Sequence, residues 1–265
     1  MPGAPVSKLQ QQEKVHYDHI VSLGYNCEVS FRIKDHYGDV EPYFFTWVYV
    51  RNRKKQCAFL ENRHLFMSGD IEYLPGSGGM FLDTATDFAI HSRMKDEELL
   101  INGEEQKENM LSAVKEMKER YSHLLDKTFS MFSDGTSALF VVKVAEGNAD
   151  EICAFLQDLL GLLERLCTRK VFTLLCVTTH AMKEKILHME SANLKVRSVS
   201  HFADDAHTDS TGDMDGWDNV FSEFPAAAKE CQQGTSQPEP LMETKSFRSL
   251  VTHFLSRLGN KFHGK

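Results

Sequence analysis

Cys27 stands four residues beyond the apolar run His19 to Leu23, in the stretch HIVSLGYNCEVSFRI, where a glycine-containing turn gives way to an amphipathic segment. That places its sulfur at a helix N-terminus, where unsatisfied backbone N–H groups carry partial positive charge. Such a field favours thiolate over thiol and lowers the pKa below the free value of about 8.5. The same N–H groups can hydrogen-bond an oxyanion, so Gly24, Asn26 and Cys27 together offer a nucleophile and part of an oxyanion hole. A second reading stays open: free cysteine is among the most buried residue types, and Cys27 could fill space beneath a tight turn.

The segment SLGYNCEVSFRIKDHYG followed by FFTW resembles the opening of a bacterial domain family of unknown function described as papain-like cysteine peptidases. In that family SLGxNC is followed by a helix and then by PFDW. Ser22, Leu23, Gly24, Asn26 and Cys27 match the first block, and Phe45 and Trp47 match the second. KERYSHLL with ALFVVKV is similar to the family's helix and strand after its histidine, and GWDNVFSEF to its closing tryptophan-containing segment. The likeness therefore spans most of Asp18 to Phe224. It implies Cys27 as nucleophile and a later histidine as its partner. His91 falls in the expected interval and is our choice, with His64 an earlier competitor. Thr46 replaces the aspartate of the second block and Phe44 its proline, so no role of that carboxylate carries over.

A third group would orient the imidazole. The acidic stretch ADDAHTDSTGDMDGWDNVF supplies Asp213, Asp215 and Asp218 around Trp217, and Asp215 is the first choice. The plain alternative is a solvated acidic loop. That stretch lacks the glycine and closing glutamate of a calcium loop, and no Cys/His cluster has zinc spacing, so no metal and no cofactor is expected. PGSGG at Pro75 to Gly79 has the composition of a phosphate cradle, yet no Lys-Ser/Thr pair follows it and no clear strand precedes it. It reads as a flexible loop between Cys27 and His91.

The 265 residues suffice for one large core, and 42% hydrophobic with 26% charged content is ordinary for a globular protein. A net charge of -8 argues against nucleic acid as a partner, because backbone binding needs clustered Lys and Arg. No apolar run reaches the roughly 18 to 20 residues of a bilayer span, and the first residues lack the apolar core of a secretory signal. A cytoplasmic or nucleoplasmic protein is expected. The six cysteines are dispersed, several within apolar segments, and read as reduced thiols.

These residues must be positioned by a fold, and the pattern specifies one. Ile20, Val21 and Leu23 form a short buried strand, followed by a turn and a helix to His36. VEPYFFTW is expected to be extended or looping, Asn52 to Phe66 helical, SGDIEYLPGSGGM a loop, and FLDTATDFAIHSR a hairpin ending at His91. Met110, Val114, Met117, Tyr121, Leu124 and Leu125 recur at three- and four-residue steps, the mark of a long amphipathic helix. The runs ALFVVKV, VFTLLCV and LKVRSV alternate with helical periods, which implies parallel strands covered on both faces. A papain-like label would instead imply a helical half packed on an antiparallel sheet. The local pattern decides for a three-layer α/β domain with a mostly parallel sheet, and Cys27 at the carboxyl end of its first strand, where open sheets hold ligands.

Residues 1–16 read as a loose leader, 17–224 as the α/β domain, 225–240 as a linker and 241–265 as an amphipathic tail helix. The tail's apolar stripe with basic flanks would pack on the core, dock in a partner's groove or lie on a membrane surface. The sequence thus points to thiol-dependent acyl chemistry on a small or peptide-like substrate, hydrolysis or transfer, with Cys27, His91 and Asp215 as its groups. The alternative is a non-catalytic α/β module using the Gly24 to Cys27 turn for an anionic or sugar-like ligand.

Overall fold

Strands buried on both faces pair in parallel when helices connect them, and the apolar runs do so here. The computed structural model describes residues 15–100, 104–145, 147–203 and 212–228. Its elements, in chain order, are β1 (His19–Ser22), α1 (Cys27–Tyr37), β2 (Val48–Val50), α2 (Arg53–Glu61), β3 (Ile71–Leu74), β4 (Met80–Asp83), β5 (Phe88–His91) and α3 (Asp96–Leu99). They continue with α4 (Glu104–Ser133), β6 (Ala138–Val144), α5 (Ala149–Leu166), β7 (Phe172–Thr179), α6 (His180–Ile186), β8 (Leu194–Val199) and α7 (Met214–Phe221).

Strands β1, β6, β7 and β8 form a parallel sheet in that spatial order. Val21 lies beside Phe140, Phe140 beside Leu174, and Cys176 beside Val196. Side chains alternate across a strand, so each run feeds two cores. Val21, Phe140, Val142, Leu174 and Cys176 pack with Phe132 of α4, Ile152 and Leu156 of α5 and Ile186 of α6. Ile20, Leu139, Val141, Leu175 and Val177 pack on the other face with Val29 and Ile33 of α1 and Trp217 and Phe221 of α7. The expected three-layer α/β architecture is therefore present, with helices on both faces of the parallel sheet.

A second sheet, antiparallel and ordered β2-β5-β4-β3, is inserted between α1 and α4. The expected hairpin is β4 with β5, Met80 facing His91 and Asp83 facing Phe88. Two further strands extend it. FFTW is a 3-10 turn (Phe44–Trp47) that delivers the chain into β2. The segment expected to be a loop contains β3, whose Ile71, Tyr73 and Leu74 are half-buried and Glu72 exposed, and which among the described residues pairs with β4 alone. The helix expected over Asn52 to Phe66 stops at Glu61, because the Asn62 side chain accepts from His64 N and starts a 3-10 turn, Arg63–Leu65. Phe45, Val48, Val50, Phe59, Phe88 and Ile90 join the core that also covers β6 and β7, so the two sheets share one interior.

Tyr17 N donates to the Pro225 carbonyl (3.0 Å) and Ala227 N to the Tyr17 carbonyl (2.8 Å), joining the two ends of the domain. The tail helix over 241–265, most of the leader and most of the linker lie outside the described residues. Among the described residues no helix is long and apolar enough to cross a membrane.

Candidate active site

The turn between β1 and α1 explains its own sequence. Ser22 Oγ accepts from Gly24 N (3.2 Å), and Leu23 N donates to the Val141 carbonyl (2.8 Å). Gly24 adopts φ +83, and a Cβ there would lie 2.7 Å from Val50 Cγ2. Only glycine meets both the left-handed backbone and the close approach of β2. Tyr25 follows in the same left-handed region (φ 87), and its carbonyl accepts from Val50 N (3.2 Å). Such a conformation is uncommon for a residue with a side chain and is retained only where its surroundings dictate it. Asn26 is the N-cap of α1, its Oδ1 accepting from Glu28 N (3.2 Å), which leaves Cys27 as the first helical residue. Each matched residue of the first block thus has a task in this turn.

The second block builds the opposite wall. Thr46 Oγ1 accepts from Tyr43 N (2.9 Å) while Thr46 N donates to the Tyr43 carbonyl (3.0 Å), closing the 3-10 turn. A threonine hydroxyl therefore supplies the acceptor that an aspartate would offer at this position. Phe45 is wholly buried against Phe44, Phe59 and Phe88. Ser30 Oγ donates to the Thr46 carbonyl (2.6 Å), tying α1 to the turn, and the Trp47 indole meets Phe31 edge-on at 5.5 Å.

Cys27 opens α1 beside the 3-10 turn, and His91 closes β5, the strand that pairs with β2. Val48 pairs with Ile90 at the last step of the β2–β5 ladder, Trp47 preceding the one strand and His91 closing the other. Tyr121 of α4 donates its Oη proton to the Trp47 carbonyl (3.3 Å), and its phenol pKa is pushed up chiefly by burial, with Cys27 adding to the rise and Arg120 opposing it. The Arg120 guanidinium sits over the Tyr121 ring at 4.9 Å and donates to the His91 carbonyl.

The ionisation of both groups departs from the expected thiolate. Cys27 is 7% exposed, and burial pushes its thiol up to about 12. The helix N-terminus does not offset that desolvation, so the sulfur is a neutral thiol. His91 is partly covered at its surface, but its ring is desolvated and, with Arg120 nearby, held down to about 4. A hydrogen bond to the Gly78 backbone opposes this by favouring the charged ring; Gly78 N already donates to Asp96, which leaves the Gly78 carbonyl to accept from the ring. The resting pair is neutral thiol and neutral imidazole.

Asp215 is elsewhere. It lies exposed in the first turn of α7, on the face of the parallel sheet covered by α1, whereas His91 belongs to the sheet packed on the other face. Asp213 is the N-cap of α7, accepting from Gly216 N (2.9 Å) and from Ser200 N (2.7 Å), and Asp218 pairs with His36 at 3.0 Å. His64 is exposed on its 3-10 turn.

Beside the turn is a charged pair that motif reasoning missed. Lys143, fully buried in β6, donates to Glu28 Oε2 at 2.7 Å. Glu28 Oε1 accepts from Ala203 N (3.1 Å) and Trp217 Nε1 (3.3 Å). The ammonium lies 4.3 Å from the Phe202 ring centroid and 5.2 Å from that of Tyr25. One signal was available: a lysine inside an otherwise apolar run must find a buried counter-charge. A crevice lined by Tyr25, Val50, Arg53, Gln56, Val142, Lys143 and Phe155 opens next to this pair. Among the described residues no group of three or more His, Cys, Asp or Glu side chains could hold a metal ion.

Comparison of the chain with protein-family models, with curated proteins and with solved structures found no match.

Proposed function

We propose that this chain is a cysteine-dependent hydrolase or acyl transferase, with Cys27 as nucleophile and His91 as base. What supports the reading is the place of Cys27 as first residue of α1 after the βα turn, with α1 tied through Ser30 to the Phe44–Trp47 turn that enters β2, and β2 paired with the strand that ends at His91. The likeness of the SLGYNC and FFTW blocks to a cysteine peptidase family supports it independently.

Moving a proton between a thiol titrating near 12 and an imidazole titrating near 4 is uphill by on the order of 10 kcal/mol. A standing thiolate–imidazolium pair is therefore not the resting state, and proton transfer belongs to the moment of attack. As Cys27 Sγ bonds to a substrate carbonyl carbon, His91 accepts the thiol proton. It then returns that proton to the leaving amine, alcohol or thiol as the acyl bond breaks. Water, or another acceptor, releases the acyl group by the same steps in reverse. Glu28 N–H is committed to Asn26, so the Cys27 N–H is the first donor in line for the oxyanion.

A second reading has one specific observation in its favour: a thiol this buried suits a module that binds through the Gly24 to Cys27 turn without chemistry. Turnover separates the two. Purified protein is assayed on activated esters, thioesters and peptide anilides beside Cys27→Ser and His91→Ala. The enzyme reading expects a fall of at least about 100-fold in both variants at unchanged stability; equal rates in all three would leave the binding module.

A further inference from the structure

We infer that Asp96 is a positioning residue for His91, acting through one peptide unit of the glycine loop. The inference rests on the acyl-chemistry reading only for the task His91 is given. Asp96 opens α3, and its carboxylate collects three donors: Gly78 N on Oδ2 (2.8 Å), Gly79 N on Oδ1 (2.8 Å) and Tyr73 Oη on Oδ1 (2.6 Å). The anion held by the PGSGG loop is thus the chain's own carboxylate, through the short charge-assisted bonds that backbone N–H groups give.

The geometry then reaches the imidazole. The Gly79 N–H and the Gly78 carbonyl belong to the same planar peptide, so fixing the N–H against Asp96 fixes the direction of the carbonyl. Gly78 N is already committed to Asp96 Oδ2, so the backbone hydrogen bond that Gly78 makes with the His91 ring falls to that carbonyl as acceptor. The loop is also clamped to the strand that carries His91: Ser92 N and Ser92 Oγ both donate to the Gly79 carbonyl, at 3.0 and 2.9 Å, and Met80 pairs with His91. Gly79 has φ +84, and a Cβ there would meet the Met94 carbonyl oxygen at 2.0 Å, so the unit tolerates only glycine at this point.

Carboxylate, peptide and imidazole form a relay in which each hydrogen bond polarises the next. A neutral imidazole donates from one nitrogen and accepts at the other, so donation to Gly78 sets the tautomer and leaves the second nitrogen as the acceptor for a thiol proton. This is the task that triad logic gives to an orienting acid. Here a carboxylate performs it at one remove, from a residue that Asp215 was expected to be.

The test reads the tautomer directly, by nitrogen chemical shifts of the His91 ring in labelled full-length protein at about pH 7.5, assigned by their loss in His91→Gln. Wild type is expected to show one neutral tautomer favoured by about tenfold or more. Asp96→Ala should bring the two tautomers within about threefold of each other, and Asp96→Asn, which keeps an acceptor for Gly79 N–H, should recover part of the preference. Tyr73→Phe, which removes a donor from Asp96 but leaves the loop contacts, should keep the wild-type tautomer. An unchanged tautomer in Asp96→Ala overturns the inference. If that variant does not fold, an unchanged tautomer and ring N–H shift in Asp96→Asn do the same. Equal disturbance by Tyr73→Phe also overturns it, because general loosening would then account for the effect. A tautomer that depends on Asp96 in a protein whose Cys27 never forms an acyl adduct would uphold the relay and remove the hydrolase reading.

Discussion

His91 should make the fold acid-labile in a window of its own. Its imidazole has a pKa of about 4 in the folded protein against 6.5 for the free group, chiefly because burial disfavours the charged ring. Above pH 6.5 neither the folded nor the unfolded chain binds the proton, and stability is unaffected. As pH falls below 6.5 the unfolded chain takes up a proton that the folded protein refuses, so stability is lost until the folded ring also titrates near 4. By about pH 4.5 the loss amounts to roughly 2–3 kcal/mol. The perturbation is His91→Gln, which retains a side-chain donor for the Gly78 carbonyl but cannot titrate. Urea unfolding followed by the fluorescence of Trp47 and Trp217 gives stability at half-unit steps from about pH 7.5 to 4.5. The difference between wild type and variant should move by about 2–3 kcal/mol in the variant's favour across the window. The carboxylates held low, Asp18, Asp134, Glu190 and Asp213, lose their contributions at lower pH and in both proteins alike. A flat difference across the window would refute the placement of a desolvated imidazole at the end of β5.

Cys27 in the native protein should resist iodoacetamide: a thiol at about 12 is roughly 3 × 10⁻⁵ ionised at pH 7.5 against about 0.1 for a free thiol, so peptide mass spectrometry should find labelling at least about 10³-fold slower than in urea. Selective labelling of Cys27 below pH 7 would contradict the desolvated thiol. Gly24→Ala should cost about 2–4 kcal/mol, from a left-handed alanine and a methyl pressed on Val50, read as a lower urea midpoint at unchanged slope. A change within about 0.5 kcal/mol would refute the close approach of β2. Lys143→Met should cost about 3–5 kcal/mol by leaving Glu28 buried without its counter-charge, and Glu28→Gln in the same chain should recover at least about half of that. Additive losses in the double variant would show that the two side chains do not interact.

The parallel sheet was legible because a strand buried on both faces leaves an unbroken apolar run: Ala138 to Val144 are all buried, as are residues 172–178, while the edge strand β8 shows only alternate burial. The turn was legible too, since a glycine ending a strand and an asparagine capping a helix are local demands that the sequence must meet locally. β3 was not, because Ile71, Tyr73 and Leu74 are half-buried with Glu72 exposed, and its pairing is decided by β4, which lies after the glycine loop. The ionisation of Cys27 failed on magnitude. A helix N-terminus contributes about 0.3–1 kcal/mol and seldom more than about 2, whereas a rise from 9.0 to about 12 corresponds to about 4 kcal/mol of desolvation. Asp215 was chosen for its neighbours in the chain, yet which face of the sheet α7 covers depends on where the chain crosses after β8. Asp96 gave no sign, because its role appears only when two glycines fold around it.

Mass spectrometry of the intact protein after brief exposure to an activated thioester reads whether Cys27 takes up an acyl group while handing its proton to His91, as proposed. One added acyl group on the Cys27 peptide, lost on standing in water and formed at least about 100-fold more slowly in His91→Ala, is the predicted result. An unmodified Cys27 in wild type, or an adduct that forms equally fast without the imidazole, would contradict the proposal.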